Sequence, residues 1–393
     1  MPPKFSLKEL TMIYKRKSKN KKENKEEEEE GERENEREEE ELITGKTIKE
    51  RIEKLSYLKG LRELNQKKEK IIQSKQSIAI CLVIVDELRH EQIWKEWIEQ
   101  GNLSNCPYQA ELYIHAKYPD RIQSEWARSR TLDHSFLPEW NSPEVIRAML
   151  AVLEKALTNS NNCRFVFGTE SCIPICSLIE TGDELFSYDV SWADTYHIPK
   201  NSYEEQYCFY AVNPSLIPNQ YVWKALPGWI MITRRHAEDL VKLPSIVDPT
   251  NKDLVIAWNT VHAPEEVYFP TLLAILGYLR DTNNTLHTIE RNTITNPFEF
   301  NSNDEVWRRR VCFAEWKNKN DANPINYTEP TIELFNHFRS TGCLFARKFP
   351  NNSITVEVWR NILDQLIPLS YYSKHQKQHQ INNNNNNDNN NNN

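Results

Sequence analysis

Residues 77–370 alternate short apolar runs with amphipathic stretches, and this alternation restricts the fold more than any other property of the chain. Short apolar runs bounded by turn residues read as buried strands, and the longer amphipathic stretches between them read as helices. SIAICLVIV (77–85), AELYIHAKYP (110–119) and RFVFG (164–168) are expected strands, with HEQIWKEWIEQ (90–100) a helix between the first two. Ser142 as N-cap and Pro143 at the first helical position open a helix through VIRAMLAVLEKAL to about Leu157. TESCIPI then reads as a turn broken by Pro174. Further strands are expected at WIMIT (229–233) and RVCFAEW (310–316), and helices at EEVYFPTLLAILGYL (265–279) and TIELFNHFRST (331–341). Strands and helices in this order give an α/β fold with a mixed, mostly parallel central sheet flanked by helices.

The flanks lack the pattern. Residues 18–41 are Lys, Glu, Asn and Arg with almost nothing to bury, and 47–75 continue as charged helix with Ile, Leu and Tyr at roughly helical spacing. Residues 1–76 are therefore expected to form a disordered and charged, helical stem-like segment. It is either a spacer or a docking or coiled-coil element, with self-association through 47–75. Residues 371–393 run into an asparagine homopolymer and are expected to be disordered. The first 76 residues carry a net charge of +3 and the remainder −10, within an overall −7. A folded body of that sign has no counterion release to draw it to nucleic acid. The longest apolar run, Ile78 to Val85, has eight residues, against about 20 for a membrane-spanning helix. The opening residues lack the apolar core of a cleaved signal peptide. Eight cysteines make neither a dense disulfide framework nor a zinc pattern, although Cys172 and Cys176 are four apart.

The chain has nine glycines and neither GxGxxG nor GxxxxGK[ST]. A dinucleotide-binding Rossmann site or a P-loop is excluded, because each needs glycines where backbone approaches phosphate. Ligands of open α/β sheets sit beyond the C-terminal ends of the strands. His115 and Lys117 close the second strand, and Thr169, Glu170 and Ser171 close the third. Glu265 and Glu266 open a helix behind Pro264, and Arg347 and Lys348 lie near the C-terminal boundary. Each has a bland alternative. His115 can be a packing residue, the two glutamates can simply favour a helix N-terminus, and Arg347 with Lys348 can be surface charge.

Seven segments, in order and spacing, resemble the core-2/I-branching β-1,6-N-acetylglucosaminyltransferases, plant-type relatives included. They are LYIHAKYP (112–119), PEVIRAMLAVLEKAL (143–157), RFVFGTESCIPI (164–175), VWKALPGWIMITRRHAEDL (222–240), APEEVYFPTLL (263–273), RRVCFAEW (309–316) and GCLFARKF (342–349). The resemblance covers roughly residues 77–350. It implies a GT-A-type glycosyltransferase fold, a UDP-sugar donor, a glycan acceptor, and inversion at the anomeric carbon by direct displacement. It places the general base on the second acid, Glu266, with Glu265 orienting the turn; the residues alone leave the two open. It also implies that neither a metal nor another cofactor is needed. The sequence contains no Asp-x-Asp, and the family's basic positions fall on Arg309 and Lys348, two fixed cations against the departing diphosphate. Arg308, Arg310 and Arg347 are close enough that a one-residue shift changes which side chain faces the phosphates.

By the same resemblance His115 is a donor contact and Glu170 faces a sugar. Trp223, Lys224 and Trp229 line the acceptor cleft, where an aromatic face suits the C–H face of a pyranose. Both tryptophans have core packing as their alternative. Lys117 and Leu226-Pro227-Gly228 depart from the family pattern in the donor and acceptor regions. The implied activity is metal-independent, inverting transfer of N-acetylglucosamine, or of xylose, from a UDP-sugar to a glycan hydroxyl. The alternative is a catalytically silent member that binds a glycan or a partner. A carboxylate-pair glycosidase is disfavoured, because adjacent glutamates cannot flank one sugar from opposite faces. The family commonly resides in the Golgi lumen behind an anchor and stem; here a stem-like segment is read without an anchor, so a soluble location is the second expectation.

Overall fold

The computed structural model describes residues 51–52, 75–196, 198, 201–225, 229–248, 253–279, 304–318, 321 and 323–372. The expectations for the rest of 1–74 and for 373–393 lie outside the described residues. Arg51 and Ile52 are helical. Ile52 is wholly buried in the core, and Arg51 Nη1 donates to the Val247 carbonyl at 3.0 Å. This part of the expected stem is docked on the body.

The body begins with β1 (Gln76–Ile84), α1 (Glu91–Glu99), β2 (Tyr108–Ala116), the short α2 (Glu125–Arg128), α3 (Glu144–Leu157) and β3 (Asn162–Gly168). There follow β4 (Ile173–Pro174), α4 (Leu178–Leu185), β5 (Ser191–Trp192), β6 (Thr195–Tyr196), β7 (Lys224–Ala225), β8 (Met231–Thr233) and α5 (Arg234–Val247). The last elements are α6 (Pro264–Ile275), β9 (Val306–Trp307), β10 (Cys312–Phe313), α7 (Ile332–Ser340), β11 (Phe345–Ala346) and α8 (Val356–Leu363).

Six strands form the central sheet in the order β2-β1-β3-β8-β5-β9. β1 runs parallel to both β2 and β3, β8 is antiparallel to β3 and β5, and β5 and β9 are parallel. A strand inside such a sheet is covered on both faces, which is why β1 reads as an unbroken apolar run. Its alternate residues enter different cores. Ile78, Ile80, Leu82 and Ile84 pack with Trp94 and Trp97 of α1 and Phe335 and Phe338 of α7. Ala79 and Cys81 pack with α3, α5 and α6.

The strand expected at 229–233 begins at Met231 and is antiparallel to its neighbours. The run at 310–316 gives only Cys312–Phe313, in a separate sheet of order β10-β11-β4. Pro174, expected in a turn, lies in β4 at the edge of that sheet, where its missing N–H breaks no ladder. The helix expected to reach residue 279 ends at Ile275, and Gly277 at φ 74 takes the left-handed conformation that terminates it.

The turn of α4 nearest β2 shows how tightly the layers meet. A Cβ added at Gly182 would stand 2.1 Å from Cδ2 of the Tyr108 ring. That ring is fixed by its hydroxyl, which donates to Asp183 at 2.7 Å, and by stacking on Phe186 at 5.4 Å. Gly182→Ala should therefore lower stability by about 1–3 kcal/mol despite the better helix propensity of alanine. The urea midpoint measures this; an unchanged or higher midpoint would show that Tyr108 can move aside.

Candidate active site

α6 is buried on every side from Val267 to Ile275, and its charged residues are confined to its first turn. Ala263, at φ 48 and ψ 60, turns the chain sharply into Pro264, and the Ala263 N–H donates to Asn141 Oδ1 at 2.6 Å. Pro264 occupies the first helical turn, where a missing N–H breaks no helical bond. Glu265 and Glu266 follow, at the end of the helix whose dipole favours negative charge.

Lys224 meets them from β7. Its strand partner is Tyr196 of β6, and the Tyr196 hydroxyl donates to Glu204 Oε1 at 3.0 Å. Lys224 Nζ lies 3.2 Å from Glu266 Oε2 and 3.6 Å from Glu204 Oε1, and is only 5% exposed as a residue. Burial would strip its proton, but Glu266 foremost, with Cys208 and Glu204, raises its pKa on balance. Burial raises the Glu266 carboxyl, and the Lys224 charge pulls it back toward ionisation. Glu265 makes no ion pair among the described residues: burial and then the charge of Glu266 push it up to about 7, against the pull of Lys224 and Arg347. The two neighbouring acids are thus set apart by their partners, Glu266 being the one paired with Lys224.

Arg347 completes the cluster. Its charge reaches both glutamates, and its guanidinium carbon lies 5.6 Å from the centre of the Trp229 ring. Trp229 itself sits at φ 57, a conformation that costs a side-chain-bearing residue about 1–2 kcal/mol. The backbone around Arg347 is held by its own N–H on the Phe313 carbonyl at 2.9 Å and by the Phe349 N–H on the Ser171 carbonyl at 3.0 Å. Glu265 Oε2, Arg347 Nε and Trp229 Nε1 are buried and have no hydrogen-bond partner among the described residues. Three such atoms on side chains linked to one another are polar capacity that folding leaves unused.

Of the residues expected at the site, Glu266, Lys224 and Trp229 come together. Lys348 and Glu170 lie alongside: Lys348 feels the charges of Arg347, Glu170 and Arg89, and Glu170 Oε1 is 3.7 Å from Arg89. The structure does not bring the other three expected residues into this cluster. Arg309 is 1% exposed and belongs to the core, with Nη1 on Glu184 at 2.8 Å, Nε on the Gly342 carbonyl at 2.8 Å, and its guanidinium carbon 4.0 Å from the Trp192 ring centre. Its neighbours go elsewhere, Arg308 to the Thr195 carbonyl at 2.9 Å and Arg310 toward Asp194 at 3.6 Å. His115 is 0% exposed. Its Nε2 accepts from the Phe136 N–H at 3.1 Å and so pins that loop. Burial holds it down to about 4, neutral at physiological pH. Trp223 is 4% exposed within the core, its N–H bonded to Thr271 Oγ1 at 3.2 Å.

Glu204 escaped sequence reading because it lies 20 residues from Lys224 and 62 from Glu266, in a Tyr- and Glu-rich stretch without a motif. Arg347 carried a signal, as the residue one register step from Lys348. A cavity of about 670 Å³ beside edge strand β2, lined in part by Glu111, Tyr113 and Arg130, shares no residue with the cluster.

The model of the core-2/I-branching enzyme family matches residues 111–337, a span that includes Lys224, Trp229 and both glutamates. The chain belongs to the core-2/I-branching enzyme family. Its six-stranded, helix-flanked sheet is consistent with a GT-A-like glycosyltransferase fold. It is also similar to glycosyltransferase BC10 of Oryza sativa subsp. japonica, 28% identical over 169 residues, which are 38% of this chain and 40% of BC10. The match thus spans well under two thirds of that relative's length.

The proton on Glu265 gives a pH test. Its folded pKa lies above the ordinary 4.5, so its contribution to stability is full below the unfolded value and is lost as pH rises through about 7. Glu265→Gln, which cannot ionise, should flatten this part of the profile. Thermal melts of both proteins at pH 5 and pH 8 check it. Equal losses of melting temperature would show that Glu265 is already ionised at the lower pH.

Proposed function

We propose that this chain is a glycosyltransferase that moves a sugar from a UDP-sugar to a glycan hydroxyl, with inversion and without a metal ion. N-acetylglucosamine is the first donor sugar to test and xylose the second. One observation carries the reading: a lysine-paired carboxylate, Glu266, stands beside Glu265, Arg347 and Trp229, whose buried polar atoms lack partners among the described residues. A base needs an ionised carboxylate close to the reacting hydroxyl, and Lys224 pulls Glu266 toward ionisation against the effect of burial.

In this scheme the acceptor oxygen forms its bond to the anomeric carbon as its proton passes to Glu266. The bond from that carbon to the diphosphate oxygen breaks, and its electron pair leaves with the diphosphate. Arg347 and Lys348 meet the charge that develops there; they replace the expected pair of Arg309 and Lys348. Fixed cations in a water-poor cleft stabilise such charge far more than they would in bulk water. Trp229 offers a ring to a pyranose, and Glu170 an acceptor for sugar hydroxyls. Membership of the core-2/I-branching family and the likeness to a named glycosyltransferase support the reaction class.

UDP release from a panel of UDP-sugars, with and without EDTA, is the direct measurement. Glu266→Gln should reduce it about a hundredfold or more while leaving UDP binding in place. Strict dependence on Mn²⁺ would overturn the metal-free scheme, and unchanged turnover in Glu266→Gln would remove the base.

Lys224→Met separates charge from packing. Wild-type activity should fall on the acid side as Glu266 takes up a proton, at a pH above the ordinary carboxylate range. Without the ammonium that pulls the carboxyl down, this limb should move to still higher pH. A kcat/KM profile whose acid limb stays in place would show that Lys224 does not set the state of Glu266.

A further inference from the structure

Beside the carboxylate cluster lies a group of aromatic side chains that the core does not use. Trp140 is 73% exposed, Tyr203 61% and Tyr207 42%. Tyr203 and Tyr207 stack with ring centres 4.3 Å apart. Tyr203 and Trp140 each stand edge-on to His262, at 5.9 Å in both cases and interplanar angles of 80° and 83°. Exposed rings this close together are not explained by folding, since each could gain more by being buried.

The group is built onto the same backbone as the site. His262 lies three residues before Glu265, and its N–H donates to the Tyr207 carbonyl at 2.8 Å. Tyr203 and Tyr207 bracket Glu204, the second carboxylate on Lys224, and Tyr207 belongs to a π-helical turn, Glu205–Phe209. Such turns are rare and concentrate at functional sites. On the other side, Trp140 adjoins Asn141, whose side chain receives the Ala263 N–H. Four rings carried by three separated segments are therefore tied to the entrance of α6, and the charge of Lys224 is felt at His262.

We propose that Trp140, Tyr203, Tyr207 and His262 form a binding shelf for the sugar units of an acceptor oligosaccharide beyond the one that reacts. The proposal rests on the transferase reading for its choice of ligand. A pyranose presents one C–H face and a rim of hydroxyls, which suits an exposed ring face with phenol and imidazole edges nearby. A glycan whose reacting hydroxyl is at Glu266 has to leave the cluster over neighbouring surface, and the shelf is continuous with it. The shelf makes acceptor length, rather than donor identity, the quantity these residues control.

The test uses the full chain and xylo-, galacto- and N-acetylchito-oligosaccharides of one to six units, with binding followed by calorimetry. In the wild type, affinity for at least one series should rise about tenfold between one and four units. Tyr203→Ala/Tyr207→Ala and Trp140→Ala should abolish the rise and leave the affinity for one unit unchanged. Tyr203→Phe/Tyr207→Phe, which keeps the rings, should retain most of it. Flat affinity in every series, or an undiminished rise in both alanine variants, overturns the shelf. Measuring UDP release in parallel separates the two readings. Loss of the rise together with full turnover in Glu266→Gln upholds the shelf and overturns the transfer scheme, and the converse pattern does the reverse.

Discussion

A lysine ammonium removed from water must have a carboxylate beside it, and the architecture around α6 follows from this requirement at Lys224. The residue is 5% exposed and is met by Glu266 from the start of α6 and by Glu204 from the segment after β6. Removing either acid would leave buried charge poorly compensated, a change that costs several kcal/mol in typical proteins. The two-stranded β6–β7 ribbon, the π-helical turn and the buried α6 are held in mutual register by one cation. The same cation pairs with one of two adjacent glutamates, Glu266, which their shared helix end could not select.

Two other buried arginines show charge used for structure alone. Glu180 and Glu184 stand one turn apart on α4, and each grips a guanidinium from far along the chain, Arg339 at 2.7 Å and Arg309 at 2.8 Å. Arg339 also donates to the Ile175 and Ile367 carbonyls, so the helix, the β4 edge and the chain beyond α8 are joined through it. Each pair ties α4 to a segment far along the chain.

Two of the six non-glycine residues with positive φ among the described residues belong to the carboxylate cluster. Ala263 and Trp229, both in the left-handed region, flank the cluster on its two sides. Neither is glycine, so the surrounding contacts must hold them there. Ala263 fixes the direction in which Glu265 and Glu266 leave the helix, and Trp229 brings its ring to Arg347. The exposed aromatic group joins the site through the residue just before Ala263. A single sharp turn thus relates the acidic pair, the loop carrying Trp140 and the segment carrying Tyr207.

Much of the fold was legible in the sequence. The apolar runs located β1, β2 and β3, and the amphipathic periods located α1, α3 and α7, because a side chain facing a core must be apolar wherever that core lies. The acidic pair at α6 and the lysine at β7 were legible through local motifs. What the sequence could not determine was direction. In an extended segment successive side chains point to opposite faces, so Arg309 enters the core while Arg308 and Arg310 meet β6 and the residue before it, and a one-residue step separates Arg347 from Lys348. Partnership across long stretches was hidden for the same reason: Glu204 and Lys224, or Glu184 and Arg309, become neighbours only after the sheet has closed. The sequence by itself determined an α/β body with a helix-flanked sheet and a carboxylate pair opening a helix. Only the tertiary structure decided which carboxylate is paired with a cation, because that depends on which distant side chain packing delivers to it.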